Sequence, residues 1–287
     1  MSQAARTHDD ADDREFVLTD KDFRAVVALV RSHAGIALAD HKRELVYSRL
    51  SRRLRALKLA SFAAYLDLVE SPAGATEMGE FVNAITTNLT AFFREGHHFD
   101  HLRAHVIEPL VRAQARPGEK ELMIWSAGCS TGEEPYSIAM TVASAWANWE
   151  NNKVRILATD LDTSALARCK AARYKREGLG RTPEAYRREY FRDAGDGMVE
   201  IEPKLRQMIA FKQLNLQGPW PMRRRYDAIF CRNVMIYFDD VLIRDVLGGF
   251  HERLKPGGML YIGHSESASK HHAGFERVDK TAYVRSP

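Results

Sequence analysis

Sixteen residues in the middle of the chain, 122–137, predict a strand, a glycine turn and the start of a helix. The continuous apolar run at 122–125 is typical of a buried parallel strand. Gly128 and Gly132 permit a tight turn in which backbone can approach a ligand closely. Glu133 and Glu134 suit the first turn of a helix. This order is that of a nucleotide crevice in a doubly wound α/β fold, although a glycine between a strand and a helix is as often only a turn.

A second strand strengthens the crevice interpretation. Residues 154–160 form a β run that ends in the carboxylate of Asp160. In the doubly wound fold, an acid at the end of the second strand pairs with ribose hydroxyls. The turn lacks a full G-x-G-x-x-G, and Glu133 and Glu134 would repel a pyrophosphate. The residues therefore favour a nucleoside without phosphate, such as S-adenosylmethionine, whose cationic sulfonium is attracted by acidic surroundings.

Composition limits the classes of protein that remain. With 287 residues, 45% of them apolar, the chain suggests one large domain and one small one. No apolar run approaches the roughly 20 residues that span a bilayer, and the polar N-terminus is no signal peptide, so we expect a cytoplasmic protein without membrane insertion. The net charge of +4 is too small to indicate a nucleic-acid-binding protein. The three cysteines form no C-x-x-C, which argues against a disulfide framework or a zinc site; they are Cys129, Cys169 and Cys231.

The N-terminal part is predicted to be helical. Residues 1–18 are polar and acid-rich and are expected to form a disordered leader. Residues 19–88 are expected to form an all-α domain, since apolar residues recur there at helical spacing. Its four predicted helices begin near Thr19, Asp40, Ser61 and Glu77, with breaks at Gly35 and at residues 71–74.

The second predicted helix carries a basic stripe. Residues 41–58 contain seven Lys or Arg and one acid, Glu44. Such a stripe is usually only a solvated face. A more specific alternative is a docking surface for an acidic partner, where electrostatic attraction would speed the encounter and orient the partner. Nucleic acid is a third alternative, weakened by the lack of interleaved aromatics. The candidate docking residues are Lys42, Arg49, Arg52 and Arg53.

A polar and aromatic linker, residues 87–99, follows the helical domain. It is expected to pack one of its two adjacent phenylalanines and to present Asn88, Thr90 and Arg94 elsewhere. The alternative is an N-capped helix start with Arg94 on the surface. The adjacent histidines at 97 and 98 lack partners at metal-ligand spacing, so no metal site is predicted.

The second half of the chain alternates helices and strands with one interruption. Residues 173–212 are predicted to be a small antiparallel β insertion that includes a hairpin of strands 198–202 and 207–212. The alternation of helices and parallel strands then resumes, with expected strands at 214–216, 226–231 and 259–262.

Polar residues follow the expected strand 226–231 directly. Ligands in open α/β sheets bind outside the carboxyl ends of the strands. We therefore expect Arg232, Asn233 and Tyr237 to point into the same crevice as Gly128 and Asp160.

Six motifs stand out along the chain: Asn-Leu-Thr-Ala-Phe-Phe-Arg (88–94), Ser-Thr-Gly-Glu-Glu-Pro-Tyr-Ser (130–137), Ala-Thr-Asp-Leu-Asp (158–162), Phe-Cys-Arg-Asn-Val-Met-Ile-Tyr-Phe (230–238), Leu-Lys-Pro-Gly-Gly (254–258) and Gly-His-Ser-Glu (263–266). Together they resemble the CheR family of chemotaxis-receptor glutamate methyltransferases, and the similarity spans about residues 19–284. The resemblance implies a Rossmann-like class I methyltransferase domain at 89–287 that contains the β insertion. It also implies that the all-α domain at 19–88 docks the receptor.

The resemblance further implies which residues act. Those expected to bind S-adenosylmethionine are Asn88, Thr90, Arg94, Glu134, Asp160, Asn215, Leu216, Arg232 and Asn233, to which the turn at Gly128 is added. Arg94 and Tyr237 match the residues that face the transferring methyl group. The methyl acceptors implied are glutamate side chains on the cytoplasmic helices of a chemoreceptor, and S-adenosylhomocysteine is the product.

Two departures and two alternatives accompany the resemblance. Gly128-Cys129 replaces what is often a pair of alanines, which should not abolish binding. The loop 192–197 is shorter than in relatives that bind a receptor's C-terminal peptide, so such tethering is not expected. A cofactor-sensing module would lack Arg94 or Tyr237, and a small-molecule or RNA methyltransferase would have no reason for the basic helix. With no heptad or large apolar face, a monomer is expected.

Overall fold

The computed structural model describes residues 14–114 and 119–286, which form two compact units. The helical unit comprises residues 14–33 and 37–85, and the α/β unit comprises 34–36 and the described residues from 86 onward.

The helical unit contains the four predicted helices. They are α1 (Asp20–Ala34), α2 (Arg43–Leu57), α3 (Phe62–Glu70) and α4 (Ala75–Ile85), with short 3₁₀ turns at Asp40–Lys42 and Pro72–Gly74. The helix α2 buries Val46, Leu50 and Leu54 completely, as its apolar stripe predicts. It ends at Leu57 and is capped by Lys58, which adopts the left-handed conformation with φ 56°. Ser61 begins α3 by accepting a hydrogen bond from the backbone N–H of Ala64 at 3.2 Å.

The prediction of a disordered leader over residues 1–18 is wrong at its C-terminal end. Residues 1–13 lie outside the described residues. Phe16, in contrast, is buried in the helical unit, and its ring meets that of Phe62 edge to face at 6.3 Å between centroids. Burying an aromatic ring offsets the entropy cost of ordering the few residues around it.

The α/β unit is built around one mixed sheet. Its strands follow the order β6-β2-β1-β7-β8-β10-β9, in which the first five run parallel and the last two are antiparallel to their neighbours. The strands are β1 (Glu121–Ala127), β2 (Lys153–Asp160), β3 (Arg173–Lys175), β4 (Phe191–Asp193), β5 (Met198–Ile201), β6 (Ile209–Gln213), β7 (Tyr226–Cys231), β8 (Leu254–Ile262), β9 (Phe275–Asp279) and β10 (Ala282–Arg285). The helices are α5 (His97–Leu102), α6 (Glu108–Arg112), α7 (Glu133–Ala145), α8 (Thr163–Ala171), α9 (Glu184–Tyr190), α10 (Pro203–Arg206) and α11 (Asp240–Arg253).

The central strand β1 fixes where a ligand can bind. Residues 122–127 are all buried, and Ile124 pairs with Ile156 on one side and with Ala228 on the other. On one side of β1 lie β2 and β6, and on the other side lie β7 and β8. The strand order therefore reverses at β1. In such sheets the crevice beyond the carboxyl end of this strand is the ligand site.

The β insertion is smaller than predicted, and the predicted hairpin is wrong. A three-stranded antiparallel sheet of order β3-β5-β4 covers only residues 173–201. The strand expected at 207–212 corresponds to β6, which pairs in parallel with β2, Ile156 opposite Ile209. The helical turn α10, which begins at Pro203, separates β5 from β6 and redirects the chain. The prediction of a strand at 214–216 is also wrong, because those residues lie beyond the end of β6.

Across residues 14–114 and 119–286, no helix combines the length and the apolar character that a bilayer crossing requires.

Candidate functional site

The loop after β1 turns tightly against the end of β2. The backbone N–H groups of Gly128 and Cys129 both donate to the carbonyl oxygen of Thr159, at 2.8 and 2.9 Å. Gly128 has φ +80°, and a Cβ there would lie 2.4 Å from a methyl group of Val234. Only glycine fits this turn without displacing its neighbour. The predicted tight turn is therefore confirmed.

Asp160 lies at the end of β2 and faces this loop. Its Oδ2 accepts the backbone N–H of Ser130 at 2.7 Å, and its Oδ1 accepts that of Asp162 at 2.9 Å. Burial raises the pKa of Asp160, while these backbone hydrogen bonds oppose the shift. Each carboxylate oxygen has two lone pairs, so Asp160 retains capacity for ligand hydroxyls.

Asn88 joins the loops after β1 and β2. Its Nδ2 donates to Oδ2 of Asp162 at 2.6 Å, and its Oδ1 accepts from the hydroxyl of Ser130 at 3.1 Å. Asp162 is 1% exposed and also accepts the hydroxyl of Thr86 at 3.0 Å while capping α8. The sequence analysis gave Asp162 no role, although the pattern Asp-Leu-Asp after a buried strand could have indicated it.

A buried charge cluster, formed by Arg232, Glu95 and Glu134, lies beyond the ends of β1 and β7. The guanidinium of Arg232 is 3.2 Å from Glu134 Oε2 and 3.3 Å from Glu95 Oε2. Its side chain is 3% exposed. Glu134 also accepts the hydroxyl of Ser126 at 2.8 Å. When both carboxyl groups are ionised, two carboxylates around one guanidinium give this cluster a net negative charge.

The two carboxyl groups of this cluster have different pKa values. Burial raises the pKa of Glu134 above its usual value, and Arg232 opposes that rise only in part. Burial also acts to raise the pKa of Glu95, but Arg232 and His264 outweigh it and hold the pKa below its usual value. His264 Nδ1 lies 3.0 Å from Glu95 Oε2. Glu95 is therefore the more firmly ionised member of the pair.

Arg94 follows two phenylalanines that are both buried, whereas the sequence predicted that one of them would pack. Its backbone carbonyl accepts a hydrogen bond from Arg232, and its guanidinium donates to the carbonyl of Leu89 at 2.9 Å. The Arg94 side chain is partly exposed. The backbone of Arg94 is thus fixed to the charge cluster, while its side chain remains accessible to a second molecule.

The loop after β7 is held by Glu266, which the sequence analysis missed as a functional residue. Its carboxylate accepts the backbone N–H groups of Gly263 (2.6 Å), Asn233 (3.0 Å), Val234 (3.1 Å) and Ile236 (3.2 Å). Asn233 is left-handed, with φ 59°, and its buried Oδ1 has no protein hydrogen-bond partner among the described residues. An orphaned buried acceptor of this kind fits a ligand donor. Tyr237 ends the 3₁₀ turn that follows and is partly buried.

The remaining predicted cofactor residues lie along the same edge of the sheet or in the linker. The backbone N–H of Leu214 donates to the carbonyl of Asp160 at 3.0 Å, which brings the segment 214–216 to the end of β2. Leu216 is buried, and Asn215 is partly buried. Thr90, also partly buried, lies in the linker between Asn88 and Arg94.

Two of the four predicted docking residues are engaged within the helical unit. Arg53 makes two hydrogen bonds to the buried carboxylate of Glu77, at 2.9 and 2.6 Å, and Tyr65 donates to the same carboxylate. Arg49 donates to the carbonyl of Ile85 at 2.7 Å, at the C-terminus of α4. These arginines stabilise the packing of α2 on its neighbours.

The other two predicted docking residues, Lys42 and Arg52, are exposed on the helical unit. The structure gives these two basic residues no role in packing, so they stay candidates for docking.

Cys129 is buried beside Cys169. The neighbouring thiol of Cys169, together with burial, raises the pKa of the Cys129 thiol well above its usual value. A thiol in this environment is not a nucleophile at neutral pH.

Three features are those of a class I S-adenosylmethionine-dependent methyltransferase: the strand order of the sheet, Asp160 at the end of β2, and the acids Glu133 and Glu134 in the first turn of α7. The described residues fit that cofactor: Asp160 has free lone pairs for ribose hydroxyls, and the negative charge cluster suits a cationic sulfonium.

The chain belongs to the CheR methyltransferase family. The family's all-alpha domain matches residues 21–86, and its SAM binding domain matches residues 88–284. The chemotaxis protein methyltransferase of Escherichia coli (strain K12) is 42% identical over 273 residues, which cover 94% of this chain and 92% of that protein. The probable chemotaxis protein methyltransferase of Rhizobium etli is 42% identical over 261 residues, covering 89% and 96%. S-adenosylmethionine is thus the cofactor, and the chain is a methyltransferase of the chemotaxis type.

Proposed function

We propose that this protein methylates glutamate side chains on the cytoplasmic helices of a chemoreceptor, as a cytoplasmic enzyme. The observation that carries the proposal is the position of Arg94. Its backbone carbonyl accepts a hydrogen bond from Arg232 of the buried charge cluster, and its partly exposed guanidinium can pair with the carboxylate of an incoming substrate. The family relationship supports a protein of the chemotaxis system as that substrate.

The proposed reaction needs orientation more than acid or base catalysis. When bound, S-adenosylmethionine supplies an electrophilic methyl group. A glutamate carboxylate is already ionised at neutral pH, so the chain need not remove a proton from it. Arg94 holds one carboxylate oxygen, and Tyr237 donates a hydrogen bond that orients the substrate. Alignment of this kind and the exclusion of water account for the rate. Arg94 positions the carboxylate rather than neutralising it, since a very strong pair would stabilise the ground state.

Asp160 provides a test of the cofactor site. We expect Asp160→Asn to weaken binding of S-adenosylmethionine about 10- to 100-fold, measured by titration calorimetry, because charged hydrogen bonds contribute roughly 1.5–3 kcal/mol each. An amide has one acceptor oxygen, so its NH₂ group would face the backbone N–H of either Ser130 or Asp162. Asp67→Asn, at an exposed position on α3, is the control. Equal affinity in wild type and Asp160→Asn would contradict the assignment.

The exposed basic face of the helical unit provides a test of docking. We expect the double variant Lys42→Glu/Arg52→Glu to raise KM for the receptor about tenfold while leaving cofactor affinity unchanged, since charge reversal repels an acidic partner. The effect should shrink at high salt. Lys21→Glu, which reverses an exposed charge on α1, is the control. A KM as low as that of the wild type would mean that this face is only exposed to solvent and does not dock the receptor.

The acceptor is tested directly with methyl-labelled S-adenosylmethionine and the purified cytoplasmic helical region of a chemoreceptor from the same organism. Base-labile label on the receptor is expected, because carboxyl methyl esters hydrolyse in base whereas N-methyl and ribose methyl groups do not. Base-stable label, or cofactor binding without any label on the receptor, would overturn the proposed acceptor.

A further inference from the structure

We propose that Glu95 is a positioning residue for methyl transfer, which holds the backbone around Arg94 through contacts with Arg232 and His264. This inference rests on the proposed function, in which Arg94 contacts the substrate carboxylate. Three loops meet at Glu95: its own linker, the loop after β7 that carries Arg232, and the loop after β8 that carries His264.

The backbone around Arg94 adopts an unfavourable conformation. Phe93 and Glu95 are both left-handed, with φ 52° and 55°, so Arg94 lies between two non-glycine residues of positive φ. Residues in this region cost free energy and persist only where their surroundings fix them, most often at functional sites. The backbone of Arg94 keeps its present course, with its carbonyl against Arg232, only while both neighbours keep this conformation.

Separate contacts fix each of the two strained residues. The Phe93 ring packs against Phe99 and Tyr186, at 5.1 and 5.5 Å between centroids, and its N–H donates to Ser137 Oγ at 3.0 Å. Hydrophobic packing therefore holds the N-terminal side of Arg94.

The Glu95 side chain holds the other side by charge. Its Oε2 is buried and meets three nitrogen atoms: His264 Nδ1 at 3.0 Å, Arg232 Nη2 at 3.3 Å and His98 Nδ1 at 3.6 Å. Burial lowers the pKa of His98 to about 2, so that ring is neutral, and the attraction comes from Arg232 and from His264 when it is protonated. Arg232 in turn donates to the carbonyl of Arg94, which closes a ring of contacts through residues 94 and 95.

The chain is expected to fold without the charge of Glu95, at some cost in stability. In Glu95→Gln, Arg232 keeps the carboxylate of Glu134 as a partner at 3.2 Å. The buried guanidinium therefore stays compensated, and the variant is expected to fold. The left-handed backbone can also be separated from the side chain, because glycine adopts positive φ without strain.

The first experiment measures kcat, KM and cofactor affinity for Glu95→Gln, Glu95→Gly and the exposed control Glu252→Gln, using the labelled-receptor assay and calorimetry. We expect kcat to fall about tenfold in both Glu95 variants, with cofactor affinity within about threefold of the wild type, because misplacement of a catalytic group by about 1 Å costs up to 100-fold. Full activity in Glu95→Gly would show that only the backbone conformation matters and would overturn the proposal.

The second experiment asks whether Glu95 acts through Arg94. Glu95→Gln is added to Arg94→Ala, and we expect kcat to change by less than about twofold in that background. A further tenfold loss in the double variant would mean that Glu95 acts independently of Arg94, contrary to the proposal.

A third measurement needs neither cofactor nor receptor. In Glu95→Gln, amide hydrogen exchange should become about tenfold faster at Phe93 and Arg94, whose N–H groups bond Ser137 and Ala91, and stay unchanged in β1. Unchanged exchange would overturn the positioning role. A wild-type enzyme that fails to label the receptor would instead overturn the proposed function, so the two failures are distinguishable.

Discussion

Replacing Arg94 with alanine is expected to lower kcat for receptor methylation about 100-fold, with a much smaller change in KM for the receptor. A group that aligns the reacting carboxylate acts mainly in the transition state, so its loss appears in kcat. The fold should survive, because the side chain is partly exposed and the backbone carbonyl that accepts from Arg232 is unchanged. Single-turnover labelling with saturating cofactor isolates the chemical step.

Two further variants define the role of Arg94. Arg94→Lys keeps the charge but loses the planar fork that pairs with a carboxylate, so we expect it to recover only part of the lost rate. Arg188→Ala is the control: it removes an arginine that pairs with Glu184 at the surface, and it should leave kcat unchanged. If Arg94→Ala retained near-normal turnover, the guanidinium would have no part in orienting the substrate.

The strands at the centre of the sheet could be predicted from sequence. The apolar runs at 122–125 and 226–231 correspond to β1 and β7, which are buried almost throughout, so each strand shows a continuous apolar pattern by itself. The run at 154–160 corresponds to β2, whose buried residues mostly alternate with more exposed ones, which is also a strand pattern. The acid Asp160 could therefore be placed at a strand end before any partner strand was known.

The partner of a short edge strand could not be predicted in the same way. The run around Ile209 and Phe211 has a strand pattern that suits either a hairpin with β5 or an edge of the main sheet. The choice depends on tertiary packing: Phe211 meets the ring of Tyr136 at 5.9 Å between centroids, under α7. Local sequence carries no information about that neighbour.

Charged residues were the least predictable part of both units. Arg53 is 24 positions from Glu77, and a stripe of arginines looks the same whether it is solvated or paired. Glu95 and Glu266 likewise resemble ordinary loop acids. Their burial arises because several loops meet at the carboxyl edge of the sheet, so only the folded chain reveals their partners.

Replacing Arg232 with alanine is expected to lower the free energy of unfolding of the α/β unit by about 3 to 5 kcal/mol at about pH 7.5. The variant leaves the carboxylates of Glu95 and Glu134 buried without the guanidinium that lies 3.3 and 3.2 Å from them. Removing one partner of a buried ion pair is far more costly than the net contribution of the intact pair. Adding Glu134→Gln to the variant removes one of the unpaired charges and should recover part of the loss.

Urea unfolding followed by tryptophan fluorescence measures this effect in the correct unit, since all four tryptophans lie in the α/β unit, at positions 125, 146, 149 and 220. Arg188→Ala, at the surface, serves again as the control and should change stability by less than about 0.5 kcal/mol.

The loss caused by Arg232→Ala should also depend on pH with a definite sign. Arg232 lowers the pKa of both carboxyl groups, so without it both folded-state pKa values rise. A carboxyl whose pKa is raised by folding destabilises the protein where it is ionised, and the penalty is relieved as pH falls and the folded state takes up a proton. In the wild type, the lowered pKa of Glu95 stabilises the fold above the usual value of 4.5, and that stabilisation is lost on acidification. The difference between wild type and variant should therefore narrow from about pH 7.5 toward about pH 5, as the carboxyl groups of the variant take up protons, and loss of the wild-type Glu95 contribution narrows it further only below about pH 4.5. A difference that widened on acidification would mean that the two carboxylates do not depend on Arg232 for their charge.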